Sequence, residues 1–354
     1  MALNVAGNST EAGLAAPPPA RQKKRLAWLT RSRWVTVGLA VFAVFVFLGI
    51  FGPALAPYAP AAMNPTAAAA AGPNAAHWLG TTQFGQDVLS QLLVGTGPTL
   101  EIGFLAGIIA TFLSILIGVS SGYFGGVVGE LLSLLSNIFL VIPALPLLIV
   151  LSTYTGSSPS VWLIAVVLAA LSWAWGARVL RAQTLSLRQQ DFVQAAKAAG
   201  ESNLRIIFTE IVPNEIAVIA ASFLYTVIGA VGYYVALLFI GVAGGANSDN
   251  INWGTMLYNA QINEAVSTGA WWWYVPPGVM IALLLLSLIM LNFGLDEFIN
   301  PRLRAAGITR KQLRAGSKQQ GITPVLPNRR NAAPLVVGNA DAIGATANRK
   351  RGSK

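Results

Sequence analysis

The sequence predicts an all-α, polytopic membrane protein with six transmembrane helices, and three observations support this fold class. Of its 354 residues, 55% are hydrophobic and only 10% are charged, whereas a soluble domain carries about 25% charged residues. Six apolar stretches approach or exceed the roughly 20 helical residues that cross a hydrocarbon core. They lack the alternation of membrane β-strands, so helices are the only spanning structure available. All basic residues lie outside these stretches.

Each predicted span is an apolar run bounded by polar, charged or proline-rich residues. In chain order the spans lie near 34–52, 98–121, 130–151, 161–177, 216–241 and 274–295. The first could be a cleaved signal, because Ala54-Leu55-Ala56 resembles a small-residue cleavage site. We interpret it as a retained anchor, because Val35 to Phe51 exceeds the apolar core of a signal peptide, which has about 7–15 residues.

The basic residues predict which side of the membrane each loop occupies. Of 23 Lys and Arg, six precede the first span, five lie between Arg178 and Arg205, and twelve between Arg302 and Lys354. The loops without any basic residue are 53–97, 152–160 and 242–273. The positive-inside rule therefore places both termini and residues 178–213 in the cytoplasm, in a multi-pass protein of the cell membrane. The net charge of +10 thus reflects membrane topology and not nucleic-acid binding.

The chain divides into one membrane domain and two tails. Residues 34–304 contain all six predicted spans. Residues 1–33 and 305–354 are basic and have no sustained apolar periodicity. We expect both to be disordered cytoplasmic tails.

Ionisable residues are scarce within the predicted spans. Glu101 is expected in the first turn of the second span, near the external surface, and Glu130 at the inner end of the third. Asp296 and Glu297 are expected where the sixth span leaves the membrane. Ion-coupled carriers normally have ionisable groups along their path. This pattern therefore weighs against an ion-coupled secondary transporter.

Pro143 and Pro146 interrupt the third predicted span. Proline in a helix leaves a carbonyl one turn earlier without its N–H partner, so this span could line a solute pathway. A kink that serves only packing is the alternative.

A polar, alanine-rich segment, DFVQAAKAAGESNLRIIFTEIVPN, occupies residues 191–214. Asp191 is the expected N-cap of a short helix, and Gln194 would complete a capping-box-like pair. One face of this helix would carry Phe192, Ala195, Ala196 and Ala199. Because the face is mostly alanine, it suits close contact with another protein better than burial in a bilayer surface. We expect helix 191–199 to bind a cytoplasmic partner.

The rest of this segment is expected to form a turn and a second short helix. Gly200 can adopt the positive φ that ends a helix, and Ser202 or Asn203 can cap the next helix. Pro213 is expected to end that helix and to begin the fifth span, at a position where no helical donor is lost.

The external segment HWLGTTQFGQDVLSQLLVG, residues 77–95, has an apolar side and a polar side. The apolar side comprises Phe84, Val88, Leu89, Leu92 and Leu93, and the polar side comprises Gln86, Asp87, Ser90 and Gln91. We expect a short helix lying flat at the outer surface, beneath a docked protein. A helix that only shields the second span is the alternative. His77, the only histidine, has no second ligand nearby and does not indicate a metal site.

The 191–214 segment resembles the coupling loop of ABC-importer permeases, in which Glu-Ala-Ala is followed by Gly and, thirteen residues after the Gly, by Pro. Gln194-Ala195-Ala196, Gly200 and Pro213 keep that spacing. The segment is most similar to the dipeptide/oligopeptide/nickel permease family, which usually has Glu in place of Gln194 and His in place of Glu210.

Three further stretches carry the same resemblance, which extends over roughly residues 30–304. Gly80, Thr81, Gly85, Asp87 and Ser90 match an external motif of the family, with Thr82, Gln86 and Gln91 in place of Asp, Arg and Arg. GYFGG at 122–126 matches the family's turn after the second span, and NPRLR at 300–304 matches its exit from the sixth.

This resemblance implies a type I ABC-importer permease fold and the role of a C-type permease subunit. It implies a heterodimer with a second homologous permease, two separate ATPase subunits that bind ATP and Mg, and an external solute-binding protein. Residues 191–213 would contact the ATPase, and the chain would form half of the translocation path. The chain has no GxxxxGK[ST] motif and no catalytic side-chain arrangement, so we expect neither enzyme activity nor a bound cofactor or metal. Peptides, nickel and oligosaccharides remain open as substrates, and a secondary carrier or a non-transporting scaffold remains the alternative function.

Overall fold

The structure is a computed structural model that describes residues 33–63, 70–154, 161–242 and 251–299. Apart from Arg33, the two predicted tails and the NPRLR stretch lie outside the described residues. Within those residues the chain is helical, and the only β-type pairing is an isolated bridge between Thr81 and Asp87.

Eleven α-helices and two π-helical turns make up the described part of the chain. The α-helices are α1 Arg33–Leu55, α2 Val88–Ser114, α3 Ser120–Phe124, α4 Gly126–Val141, α5 Ala144–Tyr154, α6 Val161–Leu187, α7 Asp191–Ala198, α8 Asn203–Ile206, α9 Val212–Phe239, α10 Trp253–Ile262 and α11 Trp271–Ile299. The π-helical turns are Ile115–Val119, between α2 and α3, and Ile207–Ile211, between α8 and α9.

Five described helical runs are long and apolar enough to cross a membrane. The bent pair α4–α5 forms a sixth span if it is counted as one, which agrees with the predicted number. The second span differs most from its predicted bounds: it runs without a break from Val88 to Phe124 and includes Pro98. The predicted flat external helix is therefore wrong, because its helical part is the beginning of α2.

The third span is broken at Pro143 and bends by 82° there. Steric contact with a proline ring drives the preceding residue away from helical angles, and Ile142 accordingly has φ −69° and ψ 122°. Pro146 lies in the first turn of α5, where a missing N–H costs no helical hydrogen bond. Pro143 thus produces a sharp corner, and Pro146 is accommodated in the helix that follows it.

The sequence predicted that Pro213 ends the second short helix and begins the fifth span, and this prediction is wrong. A continuous helical run extends from Asn203 to Phe239. The Ile207–Ile211 π-helical turn directly precedes the proline. Its wider winding changes the bonding pattern from i→i+4 to i→i+5. This change accommodates a residue that has no N–H and whose ring would clash with an α-helical carbonyl.

The core of the bundle is formed by α2 packed against α1, α6 and α9. Glycines allow the close approach of these helices, as small residues do in membrane interfaces generally. On α2, Gly103 faces Val231 and Gly107 faces Val227, both on α9. Further along the same span, Gly118 lies against the backbone of Ala177 on α6.

The antiparallel pairing of α1 and α2 defines the depth of Glu101. A Cβ on Gly49 would lie 3.8 Å from Gly97 Cα, and the rings of Phe42 and Phe104 are 5.8 Å apart. Glu101 is therefore level with the middle of the 22-residue span Trp34–Leu55. The expected interfacial position is wrong because α2 begins at Val88, which places Glu101 about 20 Å along the helix at 1.5 Å per residue.

Gly118→Ala should destabilise the bundle. The new Cβ would lie 2.8 Å from Ala177 Cα, and overpacking costs about 1–3 kcal/mol. Gly229→Ala in α9 is the matched control, because a Cβ there meets no other part of the described chain within 4 Å and alanine favours helix over glycine. Thermal unfolding of the purified chain in detergent measures both variants. Equal melting temperatures would contradict close packing of this span against α6.

Candidate coupling site

Helix α7 follows α6 after a three-residue connection. It begins at Asp191, whereas the predicted N-cap at Asp191 would make Phe192 the first helical residue. Gln190, with φ −72° and ψ 150°, is the N-cap, and no side chain caps the helix. The predicted capping by Asp191 and Gln194 is therefore wrong: Asp191 is already helical, and Gln194 Nε2 donates instead to the Arg188 carbonyl at 2.8 Å. Asp191 remains in the first turn, where negative charge favours the helix dipole.

One side chain anchors α7 to the membrane domain. Val193 is completely buried in a cluster that includes Leu180 of α6 and Ile206, Ile207 and Ile211 of the following helical run. Ala196 packs at the edge of this cluster. The short helix is thus held by an apolar contact with the spans on either side of it.

The opposite side of α7 is exposed. Phe192, Ala195 and Ala199 of the predicted face are accessible, whereas Ala196 is half-buried. Asp191, Gln194 and Ala198 are also exposed. Ala195 therefore lies near the middle of the accessible surface. The predicted face included Ala196, whereas the accessible surface does not.

Gly200 ends α7 as the sequence predicts. Its φ is +80°, its N–H donates to the Lys197 carbonyl at 3.0 Å, and the Glu201 N–H donates to the Ala196 carbonyl at 3.2 Å. These two bonds form a Schellman motif, which requires a left-handed residue at this position. Ser202 then caps α8 by accepting from the Arg205 N–H.

Tyr123, in the GYFGG turn that follows the second span, connects this loop to the rest of the bundle. Its hydroxyl donates to Asn203 Oδ1 at 2.9 Å, and Lys197 Nζ lies 5.0 Å from the ring centroid, within cation–π range. Arg188 Nη1 donates to the Gly122 carbonyl at 3.0 Å. The second span, the end of α6 and both short helices of the loop therefore meet at one place.

A buried carboxylate connects α6 and α9 beside the loop. Glu215 is fully buried, and its Oε1 accepts a hydrogen bond from Thr184 Oγ1 at 2.7 Å. Its Oε2 has no hydrogen-bond partner among the described residues. Sequence reasoning missed Glu215, Tyr123 and Val193. Val193 could have been found, since it is the only β-branched residue of α7.

The external segment is organised by Asp87, which caps α2. Its Oδ2 accepts from the Ser90 N–H at 2.8 Å and from Ser90 Oγ at 2.7 Å. Its Oδ1 lies 2.8 Å from His77 Nδ1, and the His77 ring lies against Tyr58, with centroids 4.8 Å apart. The lone histidine is thus part of a buried polar cluster at the start of the second span.

Two positive-φ glycines shape the turns before this cap. Gly80 has φ +69° and Gly85 has φ +72°. The carbonyl of Thr81, the residue after Gly80, accepts a hydrogen bond from Trp272 Nε1 at 3.2 Å. The five matched residues of this motif therefore lie close in sequence, in the loop that contacts the start of α11 and in the first turn of α2.

The predicted polar side of the external segment is mostly buried. Asp87, Ser90 and Gln91 are all buried, and Gln91 Nε2 donates to Gln86 Oε1 at 2.9 Å and to the Pro60 carbonyl. These groups satisfy their hydrogen bonds within the loop, and the docking of a protein above this segment stays a prediction. Phe84 lies in a turn and is exposed.

The candidate pathway residues Pro143 and Pro146 lie at the α4–α5 corner, and both are exposed in the single chain. Glu101 is also exposed, on the face of α2 that carries Ile108 and Phe112.

Comparison with known proteins identifies the family. Residues 114–305 match the family model described as "Binding-protein-dependent transport system inner membrane component". Residues 25–74 match the N-terminal TM domain of oligopeptide transport permease C.

Three relatives illustrate the similarity. A dipeptide transport system permease protein of Alkalihalophilus pseudofirmus is 30% identical over 296 residues, covering 82% of this chain and 95% of its own. A probable D,D-dipeptide transport system permease protein of Escherichia coli is 31% identical over 279 residues, covering 78% and 91%. An oligopeptide transport system permease protein of Mycobacterium bovis is 29% identical over 233 residues, covering 66% and 78%.

Among solved structures, an inward-facing MetNI methionine ABC transporter matches 59% of this chain and 94% of its own, with 20% identity and a TM-score of 0.47. The family match and the relatives confirm the resemblance drawn from the coupling-loop spacing. The chain belongs to the family of binding-protein-dependent transport system inner membrane components, in which its relatives are dipeptide and oligopeptide transport permeases.

Proposed function

We propose that this chain is the C-type permease subunit of an ATP-driven importer of peptides. The relatives that share most of its length are dipeptide and oligopeptide permeases, which supports peptides over nickel or oligosaccharides as the solute. The working assembly would contain a second homologous permease, two ATPase subunits that bind ATP and Mg, and an external solute-binding protein. Binding of peptide, sugar and nickel by that solute-binding protein tests the substrate class directly.

The exposed face of α7 is the observation that carries the coupling role. A short helix that buries Val193 completely while exposing Ala195 and Ala199 presents a small-residue surface on a rigid support. Small side chains let another backbone approach closely, and rigid seating transmits a displacement. The ATPase would bind this face on the cytoplasmic side.

The contacts beneath α7 supply a route from the ATPase to the spans. A push on α7 would reach the second span through Lys197 and Tyr123, and α6 through Val193 and Leu180. The unbroken run Asn203–Phe239 would carry the same displacement into the membrane.

We propose that the exposed face of α2 lines the translocation path. Glu101 lies at mid-depth on that face and is exposed in the single chain. A charged group at the bilayer centre costs at least about 2.5 kcal/mol. Contact with a water-filled passage removes most of this cost. The exposed α4–α5 corner with Pro143 and Pro146 would border the same passage.

Ala195→Trp should abolish ATPase binding while leaving the chain folded. Ala195 is exposed, so the indole has room in the free permease but would block close contact with a partner. Ala196 is unsuitable for this test, because it packs against the Val193 cluster. Co-purification of the ATPase from membranes measures the effect, with Ala195→Ser as the matched control. Retention of the ATPase by the Trp variant would show that the partner binds elsewhere.

Gly200→Val should uncouple transport from ATP hydrolysis without preventing assembly. A β-branched residue is strongly disfavoured at φ +80°, so α8 would rotate relative to α7. A Cβ at this position has no neighbour within 4 Å in the described chain, so backbone strain is the only expected effect. Gly200→Asn is the control, because asparagine tolerates this conformation. Solute taken up per ATP hydrolysed in reconstituted vesicles should fall for Val and stay near normal for Asn; equal ratios would remove the coupling role.

A single cysteine at position 101 should react with a small, charged thiol reagent in the assembled importer. The chain contains no cysteine, so Glu101→Cys provides a unique label. Val44→Cys is the matched control, because Val44 is exposed near the middle of α1, at a similar depth. Water in a passage would admit the reagent to the thiol at position 101, whereas lipid would exclude it from the thiol at position 44. Equal lack of reaction at both positions would rule out a passage along this face of α2.

A further inference from the structure

A polar cavity of about 130 Å³ lies between α3, α4 and α6. It is on the same side of the membrane domain as α7, since Arg181 of its wall is followed two turns later by the end of α6. Its lining residues are Ser121, Ser133, Ser136, Asn137, Ala177, Arg178 and Arg181. Neither the coupling contacts nor the candidate passage uses this cavity.

The two arginines that line the cavity have no carboxylate partner among the described residues. Arg181 Nη1 donates to Ser133 Oγ, but its buried Nε has no hydrogen-bond partner in the same part of the chain. Arg178 lies one turn earlier on α6. In the described chain, the contacts within ion-pair distance are formed by other residues, His77 with Asp87 and Arg205 with Glu201.

Acidic side chains near the cavity do not neutralise these arginines. Glu130, one turn before Ser133 on α4, is exposed and forms no ion pair with either arginine in the described structure. Glu215 accepts instead from Thr184. Arginine stays protonated in proteins, and the buried Nε of the partly exposed Arg181 has no hydrogen-bond partner within the described residues. Within the described residues, the cavity is therefore an unneutralised cationic site.

The hydrogen-bond donors that the cavity can offer a ligand are the guanidinium N–H groups of Arg178 and Arg181 and the Ser133 hydroxyl. Ser121 and Ser136 donate to carbonyls of their own helical run, at 2.8 Å to Gly118 and 3.0 Å to Leu132. Ser133 accepts from Arg181 and so keeps its own proton for donation. The Ser133 hydroxyl and the two guanidinium groups suit an oxyanion, which arginine binds through paired N–H donors.

We propose that this cavity binds the phosphate group of an anionic phospholipid. Its volume admits a phosphate but not a whole solute. The exposed apolar side chains Leu131, Leu134 and Ile138 follow the adjacent face of α4, where acyl chains can pack. Basic pockets between transmembrane helices bind acidic lipid headgroups in this way. The bound lipid would join α4 to α6 immediately beside the coupling loop.

The test is lipid retention by the full-length chain purified in detergent. Native mass spectrometry should show preferential binding of phosphatidylglycerol over phosphatidylcholine. Arg178→Gln and Arg181→Gln should each weaken phosphatidylglycerol binding about fivefold. Arg205→Gln removes the same charge from an exposed side chain of α8 and should leave binding unchanged. Because Arg178 is largely exposed, its variant gives a result even if Arg181→Gln fails to fold.

Several outcomes would overturn this assignment. Equal binding of the two lipids, or equal loss in Arg205→Gln and Arg178→Gln, would show that the cavity is not a phosphate site. Inorganic phosphate added as a competitor separates the lipid from a free anion. Displacement of the lipid by millimolar phosphate would indicate an oxyanion site to which the acyl chains contribute nothing. The measurement needs no ATPase and no transport, so its result is independent of the proposed import function.

Discussion

The close approach of α2 to α6 and α9 is the constraint on which the rest of this structure depends. In lipid there is little hydrophobic force between helices, so their association relies on tight packing. Gly103, Gly107 and Gly118 provide that packing by letting the backbone of one helix meet side chains or backbone of the next. The C-terminal end of this long second span carries Tyr123, which donates a hydrogen bond to Asn203 in the loop between α6 and α9.

The loop between α6 and α9 combines rigidity with exposure. Val193 and the Schellman motif at Gly200 hold α7 in one orientation, while the alanines on its outer side remain accessible. Directly beyond it, the π-helical turn lets Pro213 sit within a continuous helix. Beyond the turn at Gly200, the chain is therefore helical without a break from Asn203 to Phe239.

Ionisable groups within the membrane domain lie in different surroundings. Glu101 is exposed at mid-depth, Glu215 is buried against Thr184, and Arg178 and Arg181 line a cavity near the loop. A charge in a low-dielectric region needs a partner, water or a ligand.

The sequence by itself determined the membrane class, five of the six predicted spans and the left-handed Gly200, because apolar run length and glycine chemistry are local properties. It did not determine where α2 begins. A separate external helix that ends before Pro98 and a single long helix that contains Pro98 have the same composition. It also predicted a flat external helix with one polar side, whereas Asp87, Ser90 and Gln91 of that side are buried and form hydrogen bonds with other parts of the loop. The depth of Glu101, the support of α7 by Tyr123 and the arginine-lined cavity depend on residues far apart in the chain. Only tertiary packing decides such contacts, because they arise when separate helices approach closely enough to bury each other's side chains.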